Sequence, residues 1–193
     1  MQISAKQLAI HLLKSRSIKY GKFVLSSGKH SDYYIDLRLV PSHPDTFEIV
    51  MKAYSQVLER LKRTRFKIIA GIPTTGLIFA SVLSYKYSFP MIYVRKDVKG
   101  YGMKKAIEGH YNNNDKILIV DDVSTSGSNI LDAAQKLRLA GCVVEDAIVL
   151  IDRKENAEVN LMNNGIKLHY FTTIEELRPY ITYSTVVKEK DES

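Results

Sequence analysis

The chain has 193 residues, 45% of them hydrophobic and 25% charged, which supports a packed core and excludes disordered and fibrous architectures. A formal charge of +7 leaves three readings open: a nucleic-acid footprint, a site for small anionic substrates, or plain solvated surface. The single cysteine, Cys142, cannot form an internal disulfide and reads as a small buried hydrophobe, no apolar run approaches the roughly 18 residues that span a bilayer, and MQISAKQLAIHLLKS has no leader-peptide pattern, so a cytoplasmic protein without a membrane partner is expected.

No internal repeat or Pro/Gly/Ser-rich linker divides the sequence, which predicts one domain over 1–193. The first element is a helix over about 3–16, followed by the turn-rich stretch FVLSSGKHSDYYIDLR. Within that stretch Tyr33, Ile35 and Leu37 alternate with Tyr34, Asp36 and Arg38, which predicts a short strand. In PSHPDTFEIVMKAYSQVLERLKR the residues Phe47, Val50, Met51, Tyr54, Leu58 and Leu61 recur at helical spacing, with Pro44 suited to a first turn.

From there strand and helix alternate. Short apolar runs at 67–72, 91–95, 116–122 and 143–152 are separated by LIFASVLSYK and NILDAAQKLRLAG, the second of which Gly141 would end. Continuous Val/Ile/Leu runs between helices predict an α/β fold, a doubly wound and mostly parallel sheet covered on both faces. Such sheets bind ligands beyond the carboxyl ends of their strands, so the loops after residues 72, 95, 122 and 152 are where chemistry belongs. The histidines at 11, 30, 43, 110 and 169 show no metal-ligand spacing and read as surface or cap residues.

The strongest local signal is ILIVDDVSTSGSN, residues 117–129. An apolar strand delivers Asp121 and Asp122 to its end, and Ser124, Thr125, Ser126, Gly127 and Ser128 then open a helix. The N–H groups of such a loop form a phosphate cradle, and the carboxylates suit sugar hydroxyls or water-mediated Mg²⁺. Strand alternation would send the two acids to opposite faces. The opposing reading, helix capping plus a solvated strand end, accounts for the serines but not for two acids in this context. No Gly-Lys-Ser/Thr closes the turn, so the loop is not a Walker A motif.

VDDVSTSG resembles the phosphoribosyl pyrophosphate (PRPP) signature of the type I phosphoribosyltransferase family, and GIPTTG (71–76) is similar to its pyrophosphate loop, represented by Thr74, Thr75 and Gly76. Three further segments resemble the orotate-specific branch. Phe23-Val24-Leu25-Ser26-Ser27-Gly28 with Ser31, Tyr33 and Tyr34 resembles the hood, Arg95 to Gly102 closing at Glu108-Gly109 the catalytic loop, and Leu150-Ile151-Asp152-Arg153 the Leu-Asp-Arg element that faces orotate. The resemblance is collinear from about 20 to 155. It implies a type I fold with a small N-terminal hood (about 1–40 plus C-terminal elements), a core of about 41–155 and a flexible catalytic loop.

It also implies transfer of the phosphoribosyl group from PRPP to orotate, in pyrimidine biosynthesis, with Mg²⁺ as cofactor and a homodimer whose loop serves the neighbouring site. Catalysis would fall to Lys99, Asp121 and Asp122. The donor would lie on Arg95, Lys96, Lys99, Tyr101 and Asp121, Asp122, Val123, Ser124, Thr125, Ser126, Gly127, Ser128 and Asn129, and orotate on Thr125, Arg153 and Tyr34. Ser26 replaces the family's hood Lys, Gly100 its loop acid, and Tyr101 stands where one branch has His. Two alternatives remain. A nucleotide-sensing regulator of the same fold predicts a basic stripe or a helix-turn-helix appendage, and a purine or uracil phosphoribosyltransferase predicts a different hood. Neither feature is present, and no nucleic-acid partner is expected.

Overall fold

The computed structural model describes residues 2–24, 30–61, 65–95 and 106–181. Helix α1 (Ala5–Lys14) begins at a full capping box, in which the Gln7 N–H donates to Ser4 Oγ and the Gln7 side chain accepts from the Ser4 N–H. Strands β1 (Ile18–Val24) and β2 (His30–Ile35) then form an antiparallel pair whose register slips between Tyr20 and Phe23. That irregularity breaks the period of two, which is why only β2 was legible as alternation. The strand expected to run to Arg38 stops at Ile35. Asp36 accepts from the Arg38 N–H at 3.2 Å and turns the chain into a 3-10 segment, Leu37–Ser42.

Helix α2 (Pro44–Arg60) has Pro44 in its first turn and buries Val50, Met51, Tyr54 and Leu58, as the spacing predicts. Beyond it lie β3 (Ile68–Gly71), α3 (Thr75–Tyr87), β4 (Met91–Val94), β5 (Ile107–Glu108), β6 (Lys116–Val120), β7 (Val123–Ser124), α4 (Ser128–Leu139) and β8 (Val143–Asp152). The C-terminal region, without a motif in the sequence, supplies α5 (Ala157–Met162), β9 (Lys167–Thr173) and a helical stretch at 174–181. That stretch opens on a second capping box, Thr173 with Glu176.

The sheet runs β5-β4-β3-β6-β8, with β7 and β9 also paired to β8, and every pairing except β4–β5 is parallel. Successive side chains divide between two cores. Ile69, Leu118 and Val120 pack with α1, α2 and α3 on one face, while Ile68, Ala70, Ile117 and Ile119 pack with α4 and α5 on the other. This is the doubly wound architecture expected of near-continuous apolar strands. Cys142 is buried, as its reading as a small hydrophobe requires.

The first strand of the parallel run, β3, lies inside the sheet, with β4 on one side and β6 on the other. The chain therefore changes direction between β3 and β6, and their carboxyl ends open a crevice there. Two contacts hold it. A Cβ on Gly76 would lie 2.6 Å from the Val120 carbonyl oxygen and 2.9 Å from Asp121 Cα, so only glycine lets α3 approach so near. From below, the fully buried Tyr54 hydroxyl donates to the Asp121 carbonyl at 2.7 Å. Tyr54→Phe leaves that carbonyl without its donor and is expected to lower unfolding free energy by about 1–2 kcal/mol, read from the urea midpoint.

Candidate active site

Asp121 and Asp122 stand at the crevice where β6 ends. The Asp121 carboxylate accepts from the Asp122 N–H at 2.9 Å, and the Asp122 carboxylate from the Val123 N–H at 2.8 Å. The regular strand stops at Val120, and each carboxylate accepts from the N–H of the next residue, so the alternation of a continuing strand is not imposed on the pair. Burial, reinforced by the charge of Asp122, pushes Asp121 well above the usual carboxylate range, and burial raises Asp122 as well.

The following loop turns through Gly127, whose φ of 80° lies in the left-handed region. Its outer wall is steadied where the Asn160 amide donates to the Ser126 carbonyl at 2.9 Å. Asp121, Val123, Ser124, Thr125, Gly127, Ser128 and Asn129 line one small cleft. The first turn of α4 has no side-chain cap, and neither has α3, whose N-terminus carries Thr74, Thr75 and Gly76. Two helix N-termini thus meet the crevice with N–H groups available to anions. The structure brings the expected pyrophosphate loop and the expected donor loop into one place.

Strand β7 carries the donor loop onward beside β8, with Val123 opposite Ile151 and Ser124 opposite Asp152. The Ser124 hydroxyl donates to Asp152 Oδ1 at 2.8 Å, and the Arg153 N–H donates to the Ser124 carbonyl at 3.0 Å. Arg153 is consequently fixed next to the phosphate-type loop, 12% of its side chain exposed. It faces a cavity of about 600 Å³ bounded by Lys22, Phe23, His30, Ser31, Asp32 and Tyr33 of the β1–β2 pair, with Glu155 and Arg178 on the other side. The Arg153 guanidinium lies 5.1 Å from the Tyr33 ring centroid.

Tyr34 is placed differently. Tyr33 is buried and lines the cavity, whereas Tyr34 is 37% exposed, packs against Phe23 at 5.7 Å and lies 3.5 Å from Arg38. The alternation of β2 puts the two rings on opposite faces. Glu155 and Arg178 were not singled out by sequence reasoning. Glu155 offered one signal, lying two residues from Arg153, and Arg178 offered none, because 174–181 reaches the cavity only through tertiary folding.

Arg95 stands at the end of β4, bonded through its N–H to the Ala106 carbonyl at 2.8 Å and through Nη2 to Glu108 at 2.6 Å. Residues 95 and 106 are thus adjacent at the root of the 96–105 segment, and Gly109 (φ 112°) passes so close to Ile92 that a Cβ there would sit 2.7 Å from its Cγ2. Arg95 shares a small cleft with Pro73 and Asn129. Lys96, Lys99 and Tyr101, like Ser26 in the hood, lie outside the described residues.

Comparison with known proteins agrees with this geometry. The phosphoribosyl transferase domain family matches residues 40–164, which covers β3 through α5 and both loops of the crevice, so the class is that of a phosphoribosyltransferase. An orotate phosphoribosyltransferase from Cenarchaeum symbiosum is 43% identical over 159 residues, 82% of this chain and 80% of the relative. One from Sulfolobus acidocaldarius is 38% identical over 180 residues, 93% and 89% of the two chains. Among solved structures, orotate phosphoribosyltransferase from Aeropyrum pernix superposes with a TM-score of 0.76 at 31% identity, covering 88% of this chain and 96% of that one. Leishmania donovani UMP synthase gives 0.83 at 34%, covering 95% of this chain but 39% of that longer one. The chain belongs to the orotate phosphoribosyltransferase family.

The raised Asp121 carboxyl has a consequence for stability. Between the ordinary carboxylate range and the raised value the folded state binds more protons than the unfolded chain, so stability is lost as pH rises through the raised value. Asp121→Asn retains an oxygen for the Asp122 N–H and removes the charge. It should be about 1–2 kcal/mol more stable than the wild type at pH 7–8, with the advantage shrinking towards pH 4, while turnover collapses. Denaturant melts across that pH range, paired with activity assays, measure both.

Proposed function

We propose that the protein catalyses orotate + PRPP → orotidine 5′-monophosphate + pyrophosphate, a step of pyrimidine nucleotide synthesis. The observation that carries the reading is the fixed placement, through the β7–β8 pairing, of the two-acid phosphate-type loop next to Arg153 at the mouth of a cavity of about 600 Å³. Loop 124–128 and the α4 N-terminus hold the 5′-phosphate, and Asp121 and Asp122 accept from the ribose hydroxyls. The α3 N-terminus, with Thr74, Thr75 and Gly76, receives the pyrophosphate. Orotate lies in the cavity with its carboxylate on Arg153, a planar two-pronged donor suited to that group, and Thr125 between base and sugar.

Displacement at the anomeric carbon spreads positive charge over the sugar and negative charge over the leaving pyrophosphate, so catalysis rests on placed charges rather than on a strong base. Arg95, Lys96 and Lys99 stabilise the leaving group, with Tyr101 a further donor contact. Magnesium belongs to the same reading. Mg²⁺ would come with the donor's pyrophosphate, held largely by substrate oxygens and water. Asp121 and Asp122 suit it as outer contacts, since a nearby cation restores the charge that burial suppresses in both. When bound, the ion neutralises the leaving group.

The protein acts as a homodimer in which Lys99 serves the neighbouring subunit's site. A mixture of Lys99→Ala and Asp122→Asn chains should then recover about one active site per mixed dimer, and absence of recovery excludes sharing. The activity itself is tested by loss of orotate absorbance with PRPP and Mg²⁺, run beside adenine, hypoxanthine and uracil. Orotate alone should turn over. Turnover of another base without orotate overturns the assignment.

A further inference from the structure

Two arginines of this chain present the same edge to a carboxylate. Arg65 donates from Nε and Nη2 to the two oxygens of Asp146 at 2.8 and 3.1 Å, and Arg38 donates from Nε and Nη2 to those of Asp36 at 2.6 and 2.8 Å. Each fork is complete, both prongs engaged by one anion. Arg153 differs. Its Nη2 reaches Glu155 Oε1 at 2.8 Å, but its Nε is buried with no hydrogen-bond partner. A buried N–H left unpaired is costly, and in Arg153 it lies beside a prong already taken. Both residues line the cavity, so the Arg153–Glu155 pair stands at its wall.

We propose that Glu155 is a built-in competitor for the substrate carboxylate, occupying one prong of Arg153 until orotate displaces it and completes the fork through Nε and Nη2. The inference rests on the assignment of the cavity to orotate. Binding then exchanges one carboxylate for another on the same guanidinium. A ligand with a carboxylate recovers what the displacement of Glu155 loses and satisfies the buried Nε as well. A pyrimidine without one gains nothing from Arg153 while Glu155 holds it. Glu155 thus holds down the affinity for acidic pyrimidines while leaving that for neutral ones unchanged, because only a carboxylate competes with it for the guanidinium. In the empty enzyme it also supplies the counter-charge that a largely buried guanidinium requires.

The test is equilibrium titration of orotate, and separately of uracil, into wild type, Glu155→Gln and Glu155→Asp, with orotate and PRPP KM values measured on the same preparations. Glu155→Gln removes the competing charge at nearly constant shape and should tighten orotate by roughly threefold to tenfold, the scale of one ion pair. The orotate KM should fall with it, the PRPP KM should hold, and uracil should be unaffected. Glu155→Asp, with a shorter reach to Nη2, should fall between wild type and Glu155→Gln. Unchanged or weaker orotate binding in Glu155→Gln overturns the proposal and makes Glu155 a support for Arg153. Equal tightening of orotate and uracil also overturns it, since the effect would then be one of general access. Failure of the wild type to turn over orotate would instead sink the assignment of the cavity, a result visible before any variant is made.

Discussion

The parallel pairing of β8 with β6 and then β7 is the constraint on which the rest of the site depends. Val120 lies opposite Ile148, Val123 opposite Ile151 and Ser124 opposite Asp152, so one unbroken offset carries the two acids, the phosphate-type loop and Arg153 to the same end of the sheet. A slip of one residue would reverse every side chain and separate Ser124 from Asp152. Because β8 is buried from Asp146 onward between two apolar cores, no such slip is tolerated past the single irregularity at Ile117/Leu118. Hydrophobic burial thereby fixes the polar geometry.

The same crevice illustrates how function is accommodated at a cost in stability. Two adjacent carboxyls, Asp121 buried and Asp122 half-buried, lie beneath α3, which Gly76 lets approach within a distance no other residue permits. An apolar pair there would suit the fold better. An arginine with an unpaired Nε nearby, and two uncapped helix ends, extend the pattern. Each feature is unfavourable in the empty protein and becomes favourable when an anion or a hydroxyl-bearing sugar arrives. The net charge of +7 acquires meaning only through such placement, since Arg65, Lys67 and Lys116 are engaged in ion pairs at the opposite end of the strands.

Much of this was legible in the sequence, for reasons that are local. Residues 143–152 read as a strand and form one because an apolar run of that length has few other stable fates, and the helix read within 41–63 forms over 44–60 because Phe47, Val50, Met51, Tyr54 and Leu58 recur on one face. The motif at 117–129 is equally local: strand, acids, small loop and helix are contiguous, so composition alone specifies an anion site. Its family resemblance and the comparisons agree on the orotate phosphoribosyltransferase family. Strand β1 was missed because its irregular pairing hides the alternation, and α5, β9 and 174–181 because short elements with mixed faces leave weak periodic signals.

By itself, then, the sequence determined the fold class, the alternation of strands and helices from α2 to β8 and the acid-and-phosphate loop, all of which follow from patterns among residues near one another in the chain. The tertiary structure decided that Tyr33 rather than Tyr34 lies on Arg153, that Asp121 is buried at the crevice where β6 ends, and that Glu155 and Arg178 stand at the cavity wall. Those outcomes depend on where a strand stops, how two strands register and which distant helix folds back. Such facts arise from packing between segments far apart in sequence, where no local pattern records them.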